Sequence, residues 1–224
     1  MADYYSDKLS AERLKRVYEI APPRVQRYFE AEINHVLQKV GSDDLVLDLG
    51  CGYGRVMPSL TKRARSVVGI DTSLASLLVG QQILYGVSNY NLLQMDALHL
   101  AFRDNSFDVV ICIQNGISAF HVDQKELIKE SIRVAKPGGT ILFSSYSEKF
   151  WNHRLEWFRL QSAAGLLGNI DYEKTKDGVI VCRDGFTATT VNPEQFLSSV
   201  SGLDVETKIV EVDESSVFCE MRKV

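Results

Sequence analysis

An aspartate inside an apolar run, followed by alternating glycines, is the first feature of this sequence that could do chemistry. Asp48 lies in the stretch VLDLGCGYGR, where glycines alternate from Gly50 onward, and Asp71 and Asp96 each follow a further apolar run. Carboxylates accept hydrogen bonds and attract cations, whereas glycines allow a sharp turn and let a ligand approach the backbone closely. The set predicts a binding site for a neutral or positively charged molecule that carries hydroxyl or amino groups.

The spacing of the glycines argues against a phosphate-bearing ligand. A dinucleotide-binding turn has the pattern G-x-G-x-x-G, but here the third glycine, Gly54, comes one residue early. Asp48 would repel a pyrophosphate, and the phosphate-loop pattern G-x-x-x-x-G-K-[ST] is absent from the sequence. S-Adenosylmethionine fits these residues better, because it carries a sulfonium, an ammonium, a ribose diol and an adenine but no phosphate. A nicotinamide-dependent dehydrogenase is disfavoured on the same grounds.

Two of the acids then have an expected partner on that ligand. Asp71 can accept both ribose hydroxyl groups in a charge-assisted, bidentate way. Asp96 can accept a hydrogen bond from the adenine amino group. An acid at a strand end can instead cap the next helix, and Thr72 and Ser73 after Asp71 fit such a cap.

Short buried strands that alternate with helices must hold these acids in place. The runs LVLDL, SVVGI, NLLQM, FDVVICIQ and TILFSS are apolar for most of their length, and helical patterns separate most of them. This alternation is typical of a parallel sheet covered by helices on both faces, so we predict an α/β fold. In such a sheet ligands bind beyond the carboxyl ends of the strands, where Asp48, Asp71, Asp96 and Gln114 fall.

The segments on either side of the alternating region have other patterns. Residues 1–41 predict a helical N-terminal extension or lid, ahead of a cofactor-binding core at 42–146. Residues 147–190 are aromatic-rich and end in a hairpin signal, which indicates an inserted segment on the substrate side. Residues 191–224 predict a helix capped by Asn192 and a strand pair that completes the core sheet.

The composition is that of an ordinary globular protein. The 224 residues are 45% hydrophobic and 24% charged with a net charge of -4, which disfavours a protein that binds phosphate backbones. The 4 cysteines lack C-x-x-C spacing and indicate free thiols in a reducing cytoplasm rather than a metal site. The N-terminus lacks the apolar core of a signal peptide, and no window approaches the ~20 apolar residues of a membrane helix. We therefore expect a cytoplasmic protein that acts away from membranes, as a monomer or a homodimer.

Successive pieces of the sequence resemble the motifs of the class I S-adenosylmethionine-dependent methyltransferases. The pieces are VLDLGCGYGR, VVGID, MDALHLAF, SFDVVICI and RVAKPGGTILFSSY, and the resemblance covers residues 44–146 and the terminal strand pair. It implies a Rossmann-like, seven-stranded, mostly parallel sheet whose last strand is antiparallel. It also implies S-adenosylmethionine as the cofactor, with contacts from the glycine turn and the strand ends: Asp48, Gly50, Cys51, Gly52, Asp71, Thr72, Asp96, Ala97 and Gln114.

The resemblance leaves the methyl acceptor open. The fourth strand ends in CIQNGISAF and lacks the [DN]-P-P-[YF] sequence that related enzymes use on nucleobase amines and glutamine side chains. That difference and the acidic net charge favour a small-molecule acceptor. A tRNA, rRNA or protein acceptor is an alternative, with Lys62, Arg63 and Arg65 as a small basic cluster. A protein that binds S-adenosylmethionine without transferring its methyl group is another.

Methyl transfer from a sulfonium is an in-line displacement, in which an enzyme mainly aligns the reactants and excludes water. A general base is required only where the acceptor atom arrives protonated. We predict catalytic roles for His121 as a base and for Asn115 and Tyr146 near the methyl group. Further side chains could lie near the methyl group or wall the substrate: Tyr4, Tyr5, Gln114, Trp151, Trp157 and Phe158.

Each of these side chains also has a purely structural interpretation. His121 fits a half-exposed helix entry, and the tryptophans fit the core of the inserted segment. Arg154 and Arg183 could meet a carboxylate on the substrate, although lone arginines are more often surface residues.

Overall fold

Helices separate the strands from β1 to β5 except between β3 and β4, where a loop joins them. The computed structural model describes residues 9–224, so the predictions for Tyr4 and Tyr5 lie outside the described residues. The described helices are α1 (Ala11–Glu19), α2 (Pro23–Leu37), α3 (Met57–Leu60), α4 (Leu74–Ile83), α5 (Gly116–Ala119), α6 (Gln124–Val134), α7 (Trp151–Ala163) and α8 (Pro193–Val200), with a 3₁₀ turn at Glu148–Phe150. The described strands are β1 (Leu45–Leu49), β2 (Ser66–Asp71), β3 (Tyr90–Gln94), β4 (Phe107–Cys112), β5 (Ala135–Tyr146), β6 (Ile180–Val181), β7 (Thr187–Ala188), β8 (Val205–Val212) and β9 (Ser216–Lys223).

The main sheet has seven strands in the order β3-β2-β1-β4-β5-β9-β8. The first five strands in this spatial order run parallel to one another, and β9 runs antiparallel to both β5 and β8. The predicted Rossmann-like sheet with an antiparallel last strand is therefore confirmed. The chain builds β2 and β3 on one side of β1 and then crosses to β4 on the other. This reversal opens a crevice beyond the carboxyl ends of β1 and β4, where ligands bind in open α/β sheets.

Apolar residues on both faces of the central strands explain why they lie in the middle of the sheet. Val46 and Leu47 of β1 are fully buried, as are Val110 and Ile111 of β4. Asp48 shares this environment, since it is paired in register with Gly69 of β2 and Ile111 of β4. A carboxyl group thus lies at a buried central position, one strand residue from the glycine turn.

The N-terminal helices and the segment that follows β5 form one layer with a common apolar core. Val17 of α1 and Phe29 of α2 belong to the same buried cluster as Trp157 and Phe158 of α7 and Phe186 beside β7. The Trp157 indole N–H donates to the Val17 carbonyl oxygen at 2.9 Å. Two parts of the chain that are distant in sequence are therefore joined over the sheet.

Polar contacts tie the C-terminal end of helix α2 and the residues after it to β9. Glu220 of β9 accepts from the Lys39 ammonium at 2.8 Å and lies 2.7 Å from His35 Nε2. Because these contacts attach α2 to β9, polar groups on the buried face of α2 keep fixed positions relative to the strand ends.

Two local predictions outside the core region hold. Asn192 caps α8 in a capping box with Gln195, as its position before Pro193 predicts. The Asp184-Gly185 turn joins β6 to β7, which pair antiparallel. The hairpin is short and places Phe186 in the common apolar core.

No helix among residues 9–224 is long and apolar enough to cross a membrane. Over the same residues, no group of three or more His, Cys, Asp or Glu side chains is arranged to hold a metal ion. All four cysteines are buried free thiols, so each behaves as a small core residue.

Candidate functional site

A cavity of about 200 Å³ opens beyond the carboxyl ends of the strands and has two chemically different ends. One end is polar and lies along the strand termini; it is lined by Gly50, Gly52, Asp71, Thr72, Asp96, Ala97 and Gln114, among others. The other end is mostly apolar; it is lined by Val17, Tyr146, Trp157, Phe158, Gln161 and Phe186, among others, while Leu14 and Tyr18 line both cavities. A smaller cavity adjoins the glycine turn and is lined by Asp48, Cys51, Arg55 and Gln114 as well as by the turn itself.

The two cavities bring together all of the predicted cofactor residues. Seven of them line the larger cavity, and Asp48 and Cys51 line the smaller one. The Cys51 thiol also packs against Gly69 of β2, where an added Cβ would lie 2.9 Å from its sulfur.

The backbone of the glycine turn has a conformation that side chains resist. Gly50 and Gly52 have φ values of 71° and 55°, in the left-handed region. A Cβ on Gly50 would lie 2.5 Å from the ring of Phe120, and one on Gly52 would lie 3.0 Å from Leu14. The turn therefore requires glycine for its shape and for the close approach of its neighbours.

Asp71 ties the glycine turn to the start of α4. Its Oδ2 accepts from the Gly52 N–H and its Oδ1 from the Ser73 N–H, both at 2.8 Å. The two sequence interpretations, ligand binding and local capping, are compatible because each carboxylate oxygen can accept more than one hydrogen bond. Asp71 lines the larger cavity, so the carboxylate that orders the turn also faces the ligand space.

Asp48 is a buried carboxyl group with an incomplete set of partners. It is 2% exposed, and its Oδ2 has no hydrogen-bond partner. Burial raises the pKa of Asp48 to about 7, with a contribution from the nearby Asp71 carboxylate and opposition from the Arg55 guanidinium. A cation placed beside Asp48 would stabilise its ionised form and recover part of the cost of burying it.

Arg55 completes the charge pattern of the smaller cavity, and sequence reasoning missed it. Its guanidinium lies over the rings of Tyr18 and Phe29, at 4.7 and 4.9 Å from their centroids. Its buried Nη2 has no hydrogen-bond partner. The smaller cavity thus has a carboxyl group, from Asp48, and a guanidinium group, from Arg55, which together suit a zwitterionic amino acid group. The available signal was an arginine directly after the glycine turn.

Glu32 is a second residue that sequence reasoning missed. It lies fully buried on α2, and its Oε2 accepts from the Gln114 side-chain amide at 2.7 Å and from the Gln114 backbone N–H at 3.2 Å. Burial raises the pKa of Glu32, and the nearby Ser144, Gln114 and Ser216 oppose that rise. Gln114 has a φ of 58°, so Glu32 holds a strained residue that lines both cavities.

Asn115 has a structural set of contacts rather than a place in either cavity lining. Its Nδ2 donates to the Thr189 carbonyl oxygen at 2.9 Å, and its Oδ1 accepts from the Ser145 hydroxyl at 2.7 Å. Ser145 in turn accepts from the Val191 N–H at 2.8 Å. The Asn115 side chain therefore belongs to a hydrogen-bond network that anchors the segment around residue 190.

His121 and Tyr146 have different positions relative to the cavity. His121 is exposed after α5 with a φ of 53° and is not part of the lining, whereas its neighbours Phe120 and Val122 are. Tyr146 lines the cavity at the end of β5, and burial raises the pKa of its hydroxyl, against the Arg154 guanidinium nearby. Of the three predicted catalytic residues, Tyr146 alone has its side chain at the site.

Asp96 has local partners of its own. Its carboxylate accepts from the Leu98 N–H at 2.9 Å and lies 3.0 Å from His99 Nδ1. Burial tends to raise the pKa of Asp96, but the Leu98 N–H and His99 outweigh it and the pKa is lowered. An ionised carboxylate therefore lies at the edge of the polar end, where an amino group could reach it.

Comparison with known proteins agrees with this fold. Residues 46–139 match the family model described as a methyltransferase domain. A demethylmenaquinone methyltransferase of Thermobifida fusca is 37% identical over 108 residues, which are 47% of this chain and 45% of that protein. A ubiquinone biosynthesis O-methyltransferase of Pseudomonas fluorescens is 34% identical over 135 residues, which are 58% and 53% of the two chains. The chain therefore spans about half the length of the curated relatives it matches.

Solved structures show the same fold at low sequence identity. A methyltransferase dependent on S-adenosylmethionine from Aquifex aeolicus superposes with a TM-score of 0.63 at 16% identity, covering 94% of this chain and 98% of that one. The N-methyltransferase NodS of Bradyrhizobium japonicum, solved with S-adenosylhomocysteine, gives a TM-score of 0.60 at 14% identity, covering 95% and 97%. The chain therefore has the Rossmann-like fold of these solved methyltransferase structures. Within that fold, residues 46–139, which carry β1 to β4 and the glycine turn, match the methyltransferase domain.

Proposed function

We propose that this protein binds S-adenosylmethionine along the polar end of the cavity and transfers its methyl group to a small-molecule acceptor in the apolar end. One observation carries the proposal: a turn shaped by positive-φ glycines lies between two carboxyl groups, Asp48 and Asp71, and opens into an enclosed apolar space. The relatives from Thermobifida fusca and Pseudomonas fluorescens are a demethylmenaquinone methyltransferase and a ubiquinone biosynthesis O-methyltransferase, and these names support a small acceptor.

The polar and charged groups of the described residues match those of S-adenosylmethionine. Asp48 Oδ2 and Arg55 Nη2 are buried polar atoms without partners, and they would pair with the ammonium and carboxylate groups of the cofactor's amino acid part. Asp71 can accept hydrogen bonds from the ribose hydroxyls, and Asp96 can accept one from the adenine amino group. Thr72 and Ala97 would lie beside them, and the turn residues Gly50, Cys51 and Gly52 would make further contacts. When bound, the sulfonium supplies an activated methyl group and a neutral leaving group.

The protein's part in the transfer is alignment and the exclusion of water. Gln114, held by Glu32, lines both cavities and so lies where the two ligands meet. Tyr146 and Trp157 close the space on the acceptor side with ring surface. In the ligand-free protein, Tyr146 has a raised pKa and keeps its proton at neutral pH, so it acts there as a hydrogen-bond donor rather than a base.

The alternative of an RNA or protein acceptor has less support from the position of its basic cluster. Lys62, Arg63 and Arg65 lie before β2, at the amino end of the strand, whereas the cavity lies at the carboxyl ends. Arg63 also donates to the Val40 carbonyl oxygen at 2.9 Å. A macromolecule held by these residues would contact the edge of the sheet opposite to the site. The buried free thiols fit a reducing compartment, and we place the protein in the cytoplasm.

The test uses methyl-labelled S-adenosylmethionine with two fractions of a cell extract, the small-molecule filtrate and the macromolecular retentate. We expect label to enter a filtrate component and S-adenosylhomocysteine to form. Asp71→Asn should reduce this transfer strongly, whereas Asp43→Asn, an exposed aspartate away from the site, should leave it unchanged. Label only in the retentate would establish the RNA or protein alternative. Binding of S-adenosylmethionine with no transfer to either fraction would establish a non-catalytic binding protein.

A further inference from the structure

The apolar end of the cavity contains a buried amide nitrogen without a partner. Gln161 of α7 is 2% exposed and lines the cavity, and its Nε2 has no hydrogen-bond partner. Trp157 on the same helix has a partner for its indole N–H, which donates to the Val17 carbonyl oxygen. A buried donor left unpaired costs folding free energy that is recovered when a ligand supplies an acceptor atom.

Ring surfaces surround this amide, and charged side chains are absent from the apolar end among the described lining residues. Tyr146, Trp157, Phe158 and Phe186 line the cavity together with Gln161. Aromatic walls of this kind bind planar or apolar groups by offset and edge-to-face contacts. The carboxylates of the lining lie at the other end, along the strand termini.

A buried guanidinium behind the rings sets the charge that the space will accept. Arg154 is 1% exposed, and its guanidinium carbon lies 4.5 Å from the Tyr146 ring centroid and 5.4 Å from that of Phe158. Its nitrogens donate to the carbonyl oxygens of Gly178 at 2.7 Å and Ala188 at 3.1 Å, so it is fixed in place. The ring faces already serve the protein's own cation, and a second cation beside them would be repelled.

We infer that the acceptor is an uncharged, largely apolar molecule with a planar ring, and that Gln161 Nε2 donates a hydrogen bond to a carbonyl or hydroxyl oxygen on it. This inference rests on the proposed function only in calling the ligand a methyl acceptor. Gln161 is a specificity-determining residue in this account, since an analogue without the oxygen leaves the amide unpaired. The same molecule with a charged group in place of the oxygen is disfavoured, because an ion of either sign would leave water for an apolar space and a cation would also be repelled by Arg154.

The experiment measures binding of four small probes to the protein saturated with S-adenosylhomocysteine, by saturation-transfer NMR. The probes share one ring and differ in its substituent: acetophenone has a carbonyl oxygen, ethylbenzene has no polar atom, benzyltrimethylammonium is a cation and benzoate is an anion. We expect acetophenone to bind about 2- to 10-fold more tightly than ethylbenzene, as one net neutral hydrogen bond allows. We expect the two ions to bind more weakly than both.

The variant Gln161→Leu tests the residue itself, and Gln82→Leu, an exposed glutamine on α4, is the matched control. Gln161→Leu should abolish the preference for acetophenone over ethylbenzene without lowering the melting temperature, because it removes an unpaired donor. Gln82→Leu should keep the preference. A preference that persists in Gln161→Leu, tightest binding of either ion, or no binding of acetophenone to the wild type would each overturn the inference.

The proposed function fails separately from this inference. S-Adenosylhomocysteine binding is measured before the probes are added, and its absence would overturn the cofactor assignment. The probe preference and its loss in Gln161→Leu can then still be measured on the ligand-free protein, where they test the acceptor space alone.

Discussion

Replacing Asp48 by asparagine should stabilise the ligand-free protein and weaken its hold on S-adenosylhomocysteine. The wild-type carboxyl is buried with one oxygen unpartnered, and its pKa is raised from 3.8 to about 7. Between these values the folded state keeps a proton that the unfolded state releases. The stability of the wild type therefore falls as pH rises from about 4 to about 7.

The size of the effect follows from the two pKa values. Raising the pKa of Asp48 from 3.8 to about 7 corresponds to about 4 kcal/mol of folding free energy that is lost above pH 7. Between about pH 5 and about pH 8 the loss amounts to about 2 to 3 kcal/mol. Asparagine does not titrate, so the stability difference between Asp48→Asn and the wild type should grow by this amount over that range.

The assay is urea denaturation of both proteins at about pH 5 and about pH 8. Taking the difference between the proteins removes the contribution of Glu32, whose pKa is also raised. The control is Asp108→Asn, because Asp108 accepts from Lys136 at 2.7 Å and its pKa is lowered. Asp108→Asn should destabilise by a similar amount at both pH values, because a carboxyl with a lowered pKa is ionised at both.

Calorimetry supplies the second half of the prediction. The affinity of the wild type for S-adenosylhomocysteine should rise as pH increases through about 7, because the ionised Asp48 binds the ligand's ammonium group. Asp48→Asn should lack this rise. Equal stability differences at both pH values, or a variant that binds as tightly as the wild type, would refute the assignment of Asp48.

Three further predictions, for variants of Glu32, Gly50 and Asn115, separate structural from functional residues. Glu32→Ala leaves the Gln114 N–H unpaired and should cost about 1 to 3 kcal/mol in urea denaturation, with a smaller loss for Glu32→Gln; no loss would contradict the contact. Gly50→Ala should weaken S-adenosylhomocysteine binding and lower the melting temperature, and Phe120→Ala should restore part of the stability because a Cβ on Gly50 meets that ring. Asn115→Ala should lower stability by about 1 to 3 kcal/mol while the folded fraction keeps its activity, and full stability with lost activity would return Asn115 to the catalytic residues.

The strands and the glycine turn were predictable because their signals are local. An apolar run that ends in glycines identifies β1 and its turn, and the same stretch contains Asp48. Asp71 was predictable in the same way, since the carboxyl ends of neighbouring parallel strands meet at one edge. The sequence did not show that Asp71 would bind Gly52, because that contact depends on the shape of the turn.

The residues that sequence reasoning missed lie on elements whose contacts are distant in sequence. Glu32 is an acid on the apolar face of α2, between Phe29 and Val36, and this misplaced polarity was the signal that could have identified it. Gln161 has no such signal, because α7 carries apolar and polar residues all around and its contacts come from distant parts of the chain.

The backbone after β4 decides which of the predicted side chains line the cavities. Gln114 and Asn115 both have φ in the left-handed region, at 58° and 62°. Two such residues in succession turn the chain sharply after β4, so Gln114 faces the cavities while Asn115 and His121 point elsewhere. Residue order along a strand end does not predict such a turn for residues other than glycine.

Calorimetric titration of the protein with S-adenosylhomocysteine tests the central claim most directly. We expect one site per chain with a sub-millimolar dissociation constant, and at least about 10-fold weaker binding to Asp71→Asn than to Asp43→Asn, as the loss of a charge-assisted contact requires. Absence of binding to the wild type at sub-millimolar concentration, or equal binding to the two variants, would contradict a cofactor site at the ends of β1 and β2.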